Sequence, residues 1–141
     1  MLETKNKILI SAEQLFANKG YIGASIREIS KGSGVNIAAI NYHFQSKENL
    51  FLSVVESNYQ YLENEVNKIC DKDFSAEDCF VYIFRLFVKN GDKVLNSYKI
   101  VLNEHFKSSD NSFLSPGGEF GPPGHESVLR FLQNKYKYLS H

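Results

Sequence analysis

Cysteine is scarce in this sequence. Cys70 and Cys79 are the only two among 141 residues, and no CxxC or Cys/His spacing accompanies them. That excludes a zinc ribbon or a disulfide framework and leaves two reduced thiols as the expectation. Long apolar runs are also missing. None approaches the ~20 residues that a bilayer-spanning helix needs. The opening Met1-Leu2-Glu3-Thr4-Lys5 has no extended apolar region behind its charges, so no secretory signal is expected and the chain reads as cytoplasmic. Catalytic constellations are absent as well: no nucleophile with its base, no paired carboxylates, no metal cluster. His105 follows Glu104 directly, but neighbours on a helix diverge by about 100° and do not act together on one substrate atom. Neither a cofactor nor a metal is expected, and an all-α enzyme is the most distant of the functional alternatives.

A strong charge of one sign is lacking too, since the formal net charge is +0. The balance is uneven along the chain. Residues 1–50 carry six basic against four acidic side chains, and the remainder ten against twelve. The tilt is small, with the sign that an N-terminal part facing phosphates would have. With 43% hydrophobic and 13% aromatic residues, the chain has the means to bury a core.

The most informative stretch is SIREISKGSGVNIAAINYHFQSKENL, residues 25–50. Ser25 stands three residues before Glu28, the spacing of a capping box. Ile26 and Ile29 share a face of the helix it opens. Gly32-Ser33-Gly34 interrupts the pattern, and the two glycines supply the freedom of a tight turn. Asn36 is a good cap for a second helix, on which Ile40 and Phe44 pack back on Ile26, Ile29 and Val35. Two helices joined by a short glycine turn make a helix-turn-helix. Its outward face, from Asn36 to Gln45, has no carboxylate and no lysine. A face meant only for water would carry both. Small residues at Ala38 and Ala39 permit close approach, while Asn41, Tyr42 and His43 offer groups for base edges and phosphates. On the residues alone, a plain helical hairpin in an all-α core competes evenly with this reading.

The run GYIGASIREISKGSGVNIAAINYHFQSKENL closely resembles the DNA-binding signature of the TetR family of bacterial transcriptional regulators. Tyr42-His43-Phe44 followed by Ser46-Lys47-Glu48 and Leu50 is its most specific part. With Leu15-Phe16 and Gly20-Tyr21 the likeness covers roughly residues 5 to 55; beyond that only the helical layout agrees. Many members have Thr where Ala24 stands and Tyr where Asn41 stands. The first departure implies one phosphate contact fewer, the second a different base preference.

The rest of the chain reads as helices. The first spans about Thr4 to Asn18, with Ile8, Ala12, Leu15 and Phe16 at helical spacing and Gly20 as its end. A long helix capped by Ser46 runs to about Cys70, its stripe formed by Leu50, Phe51, Val54, Val55, Leu62, Val66 and Ile69. At ~1.5 Å per residue it is long enough to pass from one domain into another. Ser75 caps a helix to about Asn90 that is apolar nearly all round, which places it in the middle of a bundle. A further helix reaches Lys107, a Ser/Gly/Pro-rich loop covers 108–124, and His125 to Leu139 form the last helix.

The fold class expected is therefore all-α. A three-helix DNA-binding domain, residues 1–46, is joined by the long helix to a helical ligand-binding and dimerisation domain, residues 47–141. The resemblance implies a repressor that binds a palindromic double-stranded DNA operator as a homodimer and leaves it when a small apolar or aromatic effector binds. A DNA-binding protein that senses no small molecule, architectural or partner-controlled, is the alternative. Base-edge contacts are expected from Ile37, Ala38, Ala39 and Asn41, and phosphate contacts from Arg27, Tyr42, His43 and Lys47. Tyr59, Phe80, Phe84, Phe87, Tyr98 and His105 are the effector-site candidates, although aromatic residues at helical spacing are more often plain core. TetR-like chains usually continue past the point where this one stops, His141, into the helices of the dimer interface. That reads as a truncated sequence or a short member that dimerises differently, in which Phe131, Tyr136 and Tyr138 would lie near a surface.

Overall fold

A computed structural model describes residues 2–96 and 124–136, and all regular structure among them is helical. The elements are α1 (Leu2–Gly23), α2 (Ile26–Ser33), α3 (Ile37–Phe44), α4 (Lys47–Cys70), α5 (Ala76–Lys89) and α6 (His125–Lys135), with residues 91–96 helical as well. The expected helix as far as Lys107, the loop over 108–123 and the last residues before Leu139 lie outside the described residues. So do Tyr98, Glu104, His105 and Tyr138. No helix among the described residues is long and apolar enough to cross a membrane.

α1 is two helical pieces rather than one. Gly20 interrupts it at φ 69°, ψ 174°, a conformation that only glycine adopts readily. The break expected at Gly20 is therefore present, but three more residues wind on after it. This kink returns Tyr21 to the core, where its ring lies 5.3 Å from Phe51 and 6.2 Å from Phe16. Phe16 and Phe51 meet edge to face at 5.1 Å, an arrangement that aromatic quadrupoles favour.

Around these rings the first core closes. Ile8, Ala12 and Phe16, at four-residue spacing on α1, are completely buried. They meet Ile29 of α2, Ile40 and Phe44 of α3, and Leu50, Phe51 and Val54 of α4. Three short helices cannot bury enough apolar surface by themselves. The first two turns of α4 complete the core, which makes the long helix part of both halves of the molecule.

Farther along, the α4 stripe continues through Leu62 and Val66 and takes α6 on one side. Phe131 of α6 is buried there, contrary to the expectation that it would sit at an open surface; Leu129 is the exposed residue instead. Gly124 explains the close approach. It has φ 82°, and a Cβ at this position would stand 2.5 Å from the Val66 side chain. Ser127 hydrogen-bonds Asn67, and Lys135 pairs with Asp73 at 2.7 Å.

α5 departs from its expected place in the middle of a bundle. Only Cys79 is buried on it. Phe80, Phe84 and Val88, spaced four apart, are 51%, 69% and 64% exposed. The helix contacts α4 along one side, and a sequence apolar on every side leaves its opposite stripe facing outward. Tyr61 of α4 fixes the far end by donating to Asn90 Oδ1 at 2.9 Å.

Candidate nucleic-acid interface

The reading unit is built by local hydrogen bonds that the sequence supplies almost unaided. Ser25 Oγ accepts from Glu28 N at 3.2 Å, and Ser25 N donates to Glu28 Oε2 at 3.1 Å, a complete capping box. Glu28 also accepts from Lys19 Nζ at 2.6 Å, which ties α2 to α1. Those bonds, Lys19 first and Ser25 second, hold the Glu28 carboxyl down at about 2. Midway along, α2 is anchored from within, because Ser11 Oγ on α1 donates to Ile29 O at 3.2 Å.

Of the glycines in the turn, only Gly34 uses a left-handed backbone, at φ 67°. Gly32 is inside α2 and serves another purpose. A Cβ there would lie 2.5 Å from Ser11 Oγ, so glycine lets α2 close on α1. Ser30 Oγ donates to Val35 O at 2.6 Å and Val35 N donates to Ser33 Oγ at 3.3 Å. The turn is thus held by its own serines. Asn36 Oδ1 then accepts from Ala39 N at 2.8 Å and starts α3.

α3 buries Ile40 and Phe44 and turns the other side outward. Ala38 and Asn41 are exposed, Tyr42 is 72% exposed and Ile37 39%, while Ala39 and His43 are half-buried. Arg27 is exposed on α2. Directly after α3, Gln45 takes φ 60°, ψ −38°, the one positive φ at a non-glycine position among the described residues. Its N–H closes α3 on Asn41 O at 2.9 Å. Such strained positions gather at functional sites, and nothing in the amino-acid pattern marked Gln45. Lys5 was likewise unmarked; its ammonium lies 5.8 Å from the centre of the Phe44 ring and adds a cation beside α3.

Lys47 sits where α4 begins, but its ammonium turns inward. It donates to Tyr21 O at 2.9 Å and Ala24 O at 3.2 Å, and stands 4.3 Å from the centre of the Tyr21 ring. A cation in the first turn of a helix faces an unfavourable dipole. Here its charge goes to carbonyls at the end of the α1 turn, where backbone acceptors lack helical partners. An ammonium has three donors, and two of them are engaged.

The effector-site candidates are dispersed. Tyr59 and Phe87 are half-buried, Phe80 and Phe84 stand on the outer stripe of α5, and Tyr98 and His105 fall outside the described residues. A cleft of about 410 Å³ lies between the α4–α5 loop and α6, bordered by Cys70, Asp73, Arg130 and Phe131. Another of about 240 Å³ lies between α1 and α4. Neither is lined by Tyr59, Phe80, Phe84 or Phe87. Among the described residues, no group of three or more His, Cys, Asp or Glu side chains is placed to hold a metal ion.

A capped helix, a left-handed glycine turn and a second helix with an uncharged outer face make a helix-turn-helix. Over residues 8–54 the chain matches the family described as "Bacterial regulatory proteins, tetR family". It is similar to the biofilm operon icaADBC HTH-type negative transcriptional regulator IcaR of Staphylococcus epidermidis. The two are 27% identical over 94 residues, 67% of this chain and 51% of IcaR. The chain is also similar to the "Probable HTH-type transcriptional regulator YttP" of Bacillus subtilis, 44% identical over 59 residues, 42% of this chain and 28% of that one. The chain thus spans about half the length of IcaR and less of YttP.

Solved structures agree on the fold. A transcriptional regulator from Aquifex aeolicus superposes with a TM-score of 0.69 at 23% identity, over 96% of this chain and 74% of that one. The TetR family regulator PfmR from Thermus thermophilus gives 0.63 at 18%, over 93% and 71%.

Proposed function

We propose that the chain acts as a cytoplasmic repressor that binds a two-fold symmetric operator as a homodimer. The observation that carries this reading is the outer face of α3. It is exposed, free of carboxylates and lysine, and built on a backbone held at both ends by hydrogen bonds. Ile37, Ala38, Ala39 and Asn41 meet base edges in the major groove. Tyr42, His43 and Arg27 meet phosphates on either side. The first turn of α4 adds backbone N–H groups suited to a phosphate, with Lys47 above all positioning that turn. Negative regulation is supported by the likeness to IcaR, a negative transcriptional regulator.

We divide the chain into a reading unit, residues 1–46, and a regulatory unit, residues 47–141, with the start of α4 shared by their packing. A small effector bound by the regulatory unit moves α4 and, with it, α3. In a dimer the two reading helices must stand ~34–36 Å apart to enter successive major grooves, so a small rotation of α4 is enough to end the match.

Selection of duplexes from a random pool tests the reading. An enriched palindrome whose preferred bases change on Asn41→Gln, with affinity falling as salt rises, is the expected result. A chain that enriches no duplex would overturn it.

A further inference from the structure

Asn58 interrupts the apolar register of α4. It lies four residues after Val54 and four before Leu62, and like them it is buried, with 3% of its surface exposed. Its amide nitrogen has no hydrogen-bond partner among the described residues. A buried donor left unpaired costs folding free energy, and leucine here would avoid that cost. Such orphaned groups call for an explanation, and the cleft beside Asn58 offers one.

This cleft, about 240 Å³, runs between α1, α4 and helical residues 91–96, and Asn58 lines it. Leu9, Ile10 and Val54 form its apolar wall, with Glu13 and Lys93 contributing one charge of each sign. Asn96 Nδ2 reaches Glu13 Oε1 at 3.5 Å across the same seam. We propose that the cleft is a small-molecule site whose occupant has a compact, branched apolar body and a carbonyl or carboxylate that accepts from the Asn58 amide. The volume lies below the ~300 Å³ at which drug-sized pockets begin, which limits the occupant to a small metabolite. The opposed charges of Glu13 and Lys93 disfavour a strongly charged molecule of either sign and fit a neutral or zwitterionic one.

Position gives the site its consequence. α1 belongs to the reading unit, and residues 91–96 to the regulatory one. A molecule between them wedges the two units apart at α4 without any path through the aromatic residues of α5. This consequence, unlike the binding itself, rests on the proposed function as a ligand-controlled regulator.

Isovaleramide, L-leucine and isoamylamine serve as probes, since they share a branched tail and only the first two carry the acceptor. Amide NMR spectra of the whole chain should show isovaleramide or L-leucine shifting the signals of Leu9, Ile10 and Val54. Isoamylamine, a cation without the acceptor, should bind about tenfold more weakly or worse, through the lost hydrogen bond and its unmatched charge. Asn58→Leu should weaken the acceptor probes by about the same factor while raising the thermal midpoint of the free protein. Ile10→Trp, on a mostly exposed side chain, fills the cleft without altering Asn58 and should also abolish the shifts. The proposal is overturned if neither acceptor probe shifts these signals, as when the cleft holds only water. It is equally overturned if all three probes bind alike or if Asn58→Leu binds as the parent does. Affinity for the selected duplex is then measured with and without the acceptor probe. Probe binding with unchanged DNA affinity keeps the site and removes its regulatory consequence.

Discussion

Lys47 and Tyr21 are joined twice, by a 2.9 Å hydrogen bond from the ammonium to the Tyr21 carbonyl and by the ammonium's position 4.3 Å from the centre of the Tyr21 ring. A residue that the motif presents as a phosphate contact is also a brace between α4 and the turn that precedes α2. The two roles have different signatures. Loss of a phosphate contact alone weakens binding to all duplexes and lowers the salt slope by about one unit. Loss of the brace strands two carbonyls and destabilises the fold by about 1–3 kcal/mol. Lys47→Ala is expected to lower the urea midpoint by an amount in that range. An unchanged midpoint with a reduced salt slope would return Lys47 to a purely DNA-facing role.

The Glu28 carboxyl gives the fold an acid-side dependence of definite sign. Its value in the folded protein is about 2, below the ordinary 4.5, because Lys19 and Ser25 hydrogen-bond the ionised form. A depressed folded value stabilises the protein above the unfolded value, and that contribution is lost as pH falls from about 4.5 toward about 2. Glu28→Gln should flatten this part of the stability curve and leave the slope above pH ~6 unchanged. Denaturant midpoints measured every half unit between these limits check it; parallel curves for parent and variant would count against the assignment.

Local signals made the reading unit legible from its residues. Ser25, Asn36, Ser46 and Ser75 each cap the helix that follows, as their residue types and spacing foretold, because capping is settled within four residues. The likeness to the family lay in the same stretch, and the all-α architecture in the helical spacing along the rest of the chain. Tertiary contacts were less legible. That Gly32 clears space for Ser11, or that Lys47 turns toward Tyr21, depends on residues more than twenty positions apart. α5 misled for a different reason: with apolar residues on all sides, its sequence has no register to say which face is inward. Asn58 was passed over because an apolar stripe is recognised by the residues that fit it. A polar residue in step with that stripe was the available signal.

Gln45 offers a test of strain. An L-residue at φ 60°, ψ −38° is outside its favoured regions, at a cost of order 1–3 kcal/mol. Glycine relieves the strain but loses more entropy on folding. The weak 3.4 Å bond from Gln45 Nε2 to Tyr42 O also disappears. The net expectation for Gln45→Gly is a gain of about 1 kcal/mol, read as a higher urea midpoint. Gln45→Val should lower it. The opposite order for the two variants would show that the turn relaxes freely and stores nothing.

Cys70 should be slow to react despite being only partly covered. Burial, followed by the thiol of Cys79 beside it, pushes its titration up to about 12, whereas an unperturbed thiol titrates near ~8.5. Alkylation requires the thiolate. At pH 8 almost none should be present, and the rate with iodoacetamide should climb through pH 10 without reaching a plateau. Cys79 contributes through its proximity, so Cys79→Ala should bring the Cys70 profile down toward the ordinary thiol range and quicken labelling at pH 8. Peptide mass spectrometry after timed quenching separates the two positions. A plateau for Cys70 centred near pH ~8.5 in the parent protein would mean that neither burial nor Cys79 holds its proton.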